Sequence, residues 1–139
     1  MFHYSCCIDD LDSARAFYVD VIGATEGRRA KTWIDFDFFG NQLSLHLGAP
    51  TPTERCGDVD GVRVPMPHFG AILEVQEFQA LVERLRVAGV GFIFPPTLRF
   101  ADQPDAQWTL FVADPSGNAL EFKAFEDPAA IFGRVARQT

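Results

Sequence analysis

One local design occurs twice in this chain, and it constrains the fold more than any other feature. Phe38-Phe39-Gly40-Asn41 leads into Gln42-Leu43-Ser44-Leu45-His46-Leu47. Phe111 to Phe125 leads through Asp114-Pro115-Ser116-Gly117-Asn118 into Ala119-Leu120-Glu121-Phe122-Lys123-Ala124. In both, residues that tolerate positive φ precede a segment whose apolar residues fall on every second position. A strand has a period of two, so each segment has one apolar face and one polar face. Counted from the turn glycines Gly40 and Gly117, Ser44 corresponds to Glu121 and His46 to Lys123. The period is long, which marks a duplicated module and not a solenoid.

The surrounding elements duplicate as well. Phe2 to Ile8 reads as a strand, and Asp10 or Asp12 can cap a helix with Leu11, Ala14, Phe17, Tyr18 and Val21 on one face, ended by Gly23. Short strands over Thr25–Ala30 and Thr32–Phe39 precede the alternating strand. Gly48 to Pro65 is broken by prolines, glycines and charges and reads as a linker or long loop. The pattern then restarts with a strand over Met66–Val75. A helix bearing Phe78, Leu81, Val82, Leu85 and Ala88 follows and stops at Gly89. A strand over Val90–Phe94 is halted by Pro95-Pro96, and a polar loop, Thr97 to Ala106, leads to the last hairpin. The expected fold is α+β: two βαβββ modules, about 1–48 and 66–126 with a linker at 49–65, in a single domain over 1–139. The modules form a cupped, mostly antiparallel mixed sheet with helices on its outer face.

Composition excludes several classes of function. A net charge of −7 without a basic cluster argues against nucleic acid as a partner. No apolar run approaches the ~20 residues that span a bilayer, and MFHYSCCIDD is not built as a signal peptide. Three cysteines, two of them adjacent, make a poor disulfide framework, so a reduced, cytoplasmic protein is expected.

His3 and His68 stand at equivalent distances before the glycines that end the two helices. Both fall on the face opposite the large apolar residues. With helices covering the apolar faces, the other faces form a cup lined by His3, Ser5, Ser44, His46, His68, Glu121 and Lys123. Two imidazoles and a carboxylate from separate strands have the composition of a divalent metal site. Cys6 and Cys7 are expected to pack, while parity leaves Asp35, Asp37 and Trp33 either lining the cup or facing water.

An N-terminal strand histidine, FYVDVIG, PHFG and DPSGNALEF together resemble the vicinal oxygen chelate superfamily of glyoxalase I, fosfomycin- and bleomycin-resistance proteins and extradiol dioxygenases. The resemblance implies a divalent metal on His3, His68 and Glu121, with Fe(II) or Mn(II) favoured over Zn(II), Ni(II) or Co(II). It also implies a small-molecule substrate and a homodimer, in some family members with ligands drawn from both chains. Where glyoxalase-I-like members add a fourth ligand, this chain has Ser44, a poor ligand. Three protein ligands leave about three positions open on an octahedral ion, the arrangement of non-haem iron chemistry.

A metal-dependent, dioxygenase-like enzyme acting on a catechol-like or other vicinal-oxygen substrate is therefore expected. The alternatives are a glyoxalase-I-like lyase or isomerase and a non-catalytic drug-binding protein of the bleomycin-resistance type. His46 is a candidate catalytic base, a substitute ligand or a hydrogen-bonded residue at the rim, and Lys123 a candidate for stabilising charge on oxygen. Ser44, Arg99, Trp108 and Phe111 are substrate-pocket candidates; in a fosfomycin-type enzyme Arg99 and Lys123 would hold a phosphonate.

Overall fold

The structure, a computed structural model, describes residues 1–59 and 61–133; residue 60 of the expected linker and the last residues of the expected domain lie outside that range. Its order is β1(His3–Ile8), α1(Leu11–Arg15) running on as a π-helical segment to Ile22, then β2(Thr25–Arg29), β3(Trp33–Phe38) and β4(Asn41–Leu47). Next come β5(Glu54–Val59), β6(Val62–Met66), β7(His68–Ile72), α2(Val75–Val87), β8(Phe92–Arg99), β9(Gln107–Ala113) and β10(Ala119–Phe125). The βαβββ order thus appears twice, with a hairpin between the copies. The α+β fold follows the expectation. Among the described residues, no helix is long and apolar enough to cross a membrane.

The chain divides into two compact units, Met1–Pro52 with Ala113–Asn118 and Thr53–Val112 with Ala119–Thr139. In the first, the sheet order is β1-β4-β3-β2, with β1 parallel to β4 and the remaining pairs antiparallel. Asp10 caps α1, its carboxylate accepting from the Ser13 N–H at 2.8 Å, and Gly23 ends the helical stretch at φ 92°, where a left-handed backbone favours glycine. Tyr18 is fully buried, its ring 5.5 Å from that of Phe36. Ile8, Ile34, Leu43 and Leu45 are buried with it.

The Tyr18 hydroxyl has a carboxylate partner in the core. It donates to Asp114 Oδ2 at 2.8 Å, and the same carboxylate accepts from the N–H groups of Ser116 and Asn118 and from Asn118 Nδ2, each at 2.9 Å. Asn118 Nδ2 also reaches the Cys7 carbonyl at 3.0 Å, and Ser116 Oγ donates to Asp9 at 2.7 Å. The DPSGN turn is therefore a polar hub inside the first unit, with both carboxylate oxygens of Asp114 and the amide nitrogen of the Asn118 side chain bonded where burial would otherwise be costly. Burial, the Asp114 charge and neighbouring Cys7 push the Cys6 thiol up to about 12. Cys6 is thus a packing residue, as expected.

In the second unit the order is β7-β10-β9-β8, with β7 parallel to β10. Phe78, Leu81, Val82 and Leu85 of α2 are buried, as are Leu110, Val112, Leu120 and Phe122 of the sheet. Two expectations are corrected here. Residues 49–65 are not simply a linker: β5 and β6 pair as an antiparallel hairpin despite their glycines and Pro65. Its strands form their own sheet, so among the described residues no third strand asks Pro65 for an N–H. Nor do Pro95-Pro96 halt a strand; β8 runs through them to Arg99. β8 is the outer strand of its sheet, and its register against β9 shifts between Phe94 and Thr97, so the missing N–H groups cost the ladder little.

Candidate functional site

Along β10 the alternation fixes which side chains face where. Leu120, Phe122 and Ala124 are fully buried in the helix-side core, so Glu121 and Lys123 emerge on the other face. β7 lies beside it in parallel register, Ala119 opposite His68 and Glu121 opposite Gly70. Gly70 has no side chain for a reason: a Cβ there would stand 1.5 Å from the Glu121 carbonyl oxygen. The close approach brings His68 Nε2 to 3.1 Å from Glu121 Oε2.

Each partner of this pair is held from behind. His68 Nδ1 lies 2.7 Å from the Pro65 carbonyl, an acceptor only, so Nδ1 carries a hydrogen. The Phe111 ring stands edge-on to the imidazole, 5.1 Å between centroids. Thr109 Oγ1 donates to Glu121 Oε1 at 2.7 Å, and Lys123 Nζ stands 3.7 Å from that oxygen. Nε2 and Oε2 are left facing each other.

That geometry has a chemical consequence. With Nδ1–H committed to Pro65, a neutral ring would point the Nε2 lone pair at a carboxylate. Something positive must lie between them, a proton or a metal ion. The hydrogen bond to Glu121 raises the His68 pKa above its ordinary value against the opposing effect of burial. Burial alone would raise the Glu121 carboxyl, but the His68 hydrogen bond, the Lys123 charge and the Thr109 hydroxyl outweigh it and hold it below its usual range. A divalent ion fits the same gap: bonds of about 2.1 Å at right angles separate two ligand atoms by about 3 Å. The backbone carbonyl on Nδ1 is also the support that metal-bound histidines receive.

In metal-free protein the pair should stabilise the fold over a definite pH window. A raised histidine pKa contributes fully below the ordinary value near ~6.5 and is lost as pH rises through the raised one. A lowered carboxylate pKa contributes fully above the usual range and is lost as pH falls through the lowered one. Thermal melts of chelator-treated protein should therefore show wild type losing its advantage over His68→Gln as pH rises above neutrality. A difference that grows with pH would contradict the pairing.

The other candidates divide between the units. His3 is exposed on β1, in register with Gln42, and His46 is exposed on β4, in register with Cys7 and Trp33. Among the described residues no group of three or more His, Cys, Asp or Glu side chains is gathered to hold a metal ion; His68 and Glu121 form a pair. Ser44 is 7 % exposed and donates to Asp35 at 2.6 Å, so its hydroxyl serves a buried carboxylate and is not presented to a ligand. Arg28 and Gln42 also reach Asp35, at the wall of an open groove of about 450 Å³.

Arg99, His68, Glu121 and Lys123 line a smaller cavity of about 230 Å³ in the second unit. Trp108, expected in the pocket, is corrected: Nε1 donates to Glu126 at 2.8 Å and the ring lies 6.4 Å from Phe78 of α2. Thr109 and Phe111 face the cavity side of β9, so Trp108, next to Thr109 and of opposite parity, faces the helix. Thr109 was absent from the sequence candidates, although its parity with Phe111 signals it.

Comparison with known proteins agrees with this architecture. The sequence profile of the Glyoxalase/Bleomycin resistance protein/Dioxygenase superfamily matches residues 1–122. A glyoxalase/bleomycin resistance protein/dioxygenase from Alicyclobacillus acidocaldarius is 33% identical, with 94% of this chain and 95% of that one covered at a TM-score of 0.76. The fosfomycin resistance protein FosX from Listeria monocytogenes, in a crystal structure with Mn(II) and sulfate, is 18% identical over 90% of this chain and 89% of its own, TM-score 0.68. A lactoylglutathione lyase from Agrobacterium tumefaciens is 20% identical over 89% and 92%, TM-score 0.63.

Proposed function

The chain belongs to the Glyoxalase/Bleomycin resistance protein/Dioxygenase superfamily, and on that premise we propose that it is a metal-dependent enzyme acting on a small molecule with adjacent oxygen atoms. The observation that carries this is the His68 ring, set between the Pro65 carbonyl and the Glu121 carboxylate so that Nε2 needs a positive partner. His68 and Glu121 would supply two ligands, and His3, of this chain or of a second copy, is our candidate for the third. FosX, with the same fold, has been crystallised with Mn(II), which supports a divalent ion here.

The reaction we favour is dioxygenase-like cleavage of a catechol-like substrate with Fe(II) or Mn(II). When bound, the ion would lower the pKa of a vicinal diol and hold both its oxygens. His46 would take the second hydroxyl proton, and Lys123 would oppose negative charge growing on oxygen. The test is a catechol panel with Fe(II)-loaded protein, followed by oxygen uptake, with His46→Phe expected to lower turnover by about tenfold or more and leave metal content intact. Activity only toward a glutathione hemithioacetal, with Ni(II) or Zn(II), would place the protein with the lyases. Silence in both assays with tight binding of an aromatic drug would make it a sequestering protein.

We further propose a homodimer, the commonest closed assembly being C₂. Mixing His3→Ala chains with Glu121→Ala chains tests whether ligands are shared. Recovery of one site per heterodimer, about a quarter of all sites in an equal random mixture, requires ligands from two chains; no recovery, with each wild-type chain binding one ion, requires them from one.

A further inference from the structure

The duplication is imperfect at the carboxylate. In the second unit Glu121 of β10 accepts from Thr109 of β9; in the first, Ser44 of β4 donates to Asp35 of β3. Since β3 corresponds to β9 and β4 to β10, hydroxyl and carboxylate have exchanged strands. The sheet order β1-β4-β3-β2 therefore puts the carboxylate one strand further from His3 and next to β2. Its charged partner is Arg28 of β2, at 3.1 Å, where Glu121 has a histidine.

Asp35 and Arg28 are held on unequal terms. The Asp35 side chain is 9 % exposed, and Ser44 at 2.6 Å and Gln42 at 3.4 Å fix its carboxylate. The Arg28 side chain is 79 % exposed and meets Asp35 through one nitrogen, with its guanidinium 5.8 Å from the centre of the Trp33 ring. An ion pair held at one exposed end adds little to stability, whereas a buried carboxylate stripped of its cation is costly. Asp35 thus needs a cation, and Arg28 is a replaceable one.

The adjoining groove has room for a replacement. Its volume of about 450 Å³ falls within the ~300–1,000 Å³ of small-molecule sites. Gly27 lines it without a side chain: a Cβ there would stand 3.3 Å from the Asp35 carbonyl oxygen and 3.6 Å from the Asp35 Cβ, across the approach to the carboxylate. Asp37 lines the groove as well. Two carboxylates against one guanidinium leave an excess of negative charge among these side chains. An anion drawn to Arg28 would be repelled by both carboxylates, while a cation is attracted by both.

We propose that this groove binds an organic cation, a planar amidinium or guanidinium on a small apolar body, which pairs with Asp35, stacks on Trp33 and displaces Arg28. Arg28 already shows the mode of binding, because it joins the same carboxylate to the same ring. In the free protein it is a tethered competitor, and its displacement lets a ligand in without stranding Asp35. The site lies wholly in the first unit and does not rest on the metal reading.

Benzamidine, benzamide and benzoate share a shape and differ in charge, so calorimetry on the chelator-treated chain tests the proposal. Wild type should bind benzamidine about tenfold more tightly than benzamide, with benzoate weakest, and added salt should weaken the benzamidine complex. Asp35→Asn should remove the preference for benzamidine, and Trp33→Leu should reduce it severalfold. Arg28→Ala should tighten benzamidine binding about fivefold, since the tethered competitor is gone; a merely structural arginine would give no such gain. Arg28 is exposed, so this variant decides the matter even if Asp35→Asn fails to fold. Equal binding of the three probes, benzoate binding tightest, or an affinity for benzamidine that fails to rise in Arg28→Ala would overturn the proposal. Glu121→Ala should bind benzamidine as wild type does; loss there would assign the cation to the second unit and overturn it too.

Discussion

Glu121→Ala should leave the chain folded and remove its stoichiometric divalent ion. The side chain sits at the boundary of cavity and solvent, while the residues on either side of it in β10, Leu120 and Phe122, are fully buried and anchor the strand. Alanine therefore deletes a ligand without opening the core. Losing one ligand of three should cost on the order of 4 kcal/mol of metal binding, about a thousandfold in affinity. His68→Ala should match it. Thr109→Val should fall between these and wild type, about 10–100-fold weaker, because the hydroxyl only aims the carboxylate.

Ser44→Ala should leave the affinity unchanged, since its hydroxyl is already given to Asp35. Elemental analysis and competition against a chelating dye give all four values. Full metal occupancy in Glu121→Ala would remove that residue from the site.

The second large effect comes from a residue with no side chain. Gly70→Ala would set a Cβ 1.5 Å from the Glu121 carbonyl oxygen and 2.6 Å from its carbon. Both atoms belong to the backbone of the neighbouring strand, so no rotamer change relieves the clash and the β7–β10 pairing has to open. We expect a loss on the order of 4 kcal/mol in stability, in the range of exceptional single substitutions. The corresponding fall in Tm is on the order of 10 °C for a chain of this size. Metal affinity should fall with it, because the same displacement separates His68 from Glu121. Gly91→Ala is the control: a Cβ there meets nothing within 4 Å, and the change should be neutral or slightly stabilising. Equal melting temperatures for the two variants would show that the strands separate more easily than their geometry suggests.

Much of this was legible in the sequence because the relevant signals are local. Period-two alternation placed Glu121 and Lys123 together on one face of β10, and helix-ending glycines aligned His3 with His68. The departures share a cause: a residue's local preference gives way where its neighbours decide. Pro95 and Pro96 break a central strand but not the outer strand they occupy. The β5–β6 segment has the glycine and proline content of a linker, but among the described residues no third strand needs their N–H groups. Trp108 and Phe111 are both aromatic, but parity puts them on opposite faces of β9. The pairing of Asp35 with Ser44 follows from the antiparallel register about the Phe39-Gly40 turn, but that register does not say that the serine hydroxyl is spent on a buried carboxylate.

The turn hub at Asp114 imposes an order of events on the chain as it is made. Tyr18 and its acceptor are separated by 96 residues, and the Cys7 carbonyl and Asn118 by 111. A ribosome therefore releases β1 to β4 well before the turn that completes their unit exists. Until residue 118 emerges, the Tyr18 hydroxyl has no Asp114 to receive its proton, and sealing that core would strand a polar group in it. Contacts of such separation are closed late, after much chain entropy has been lost. The break near Pro52 is thus no place to divide the protein: a fragment ending there carries every strand of its sheet and lacks the turn that closes it.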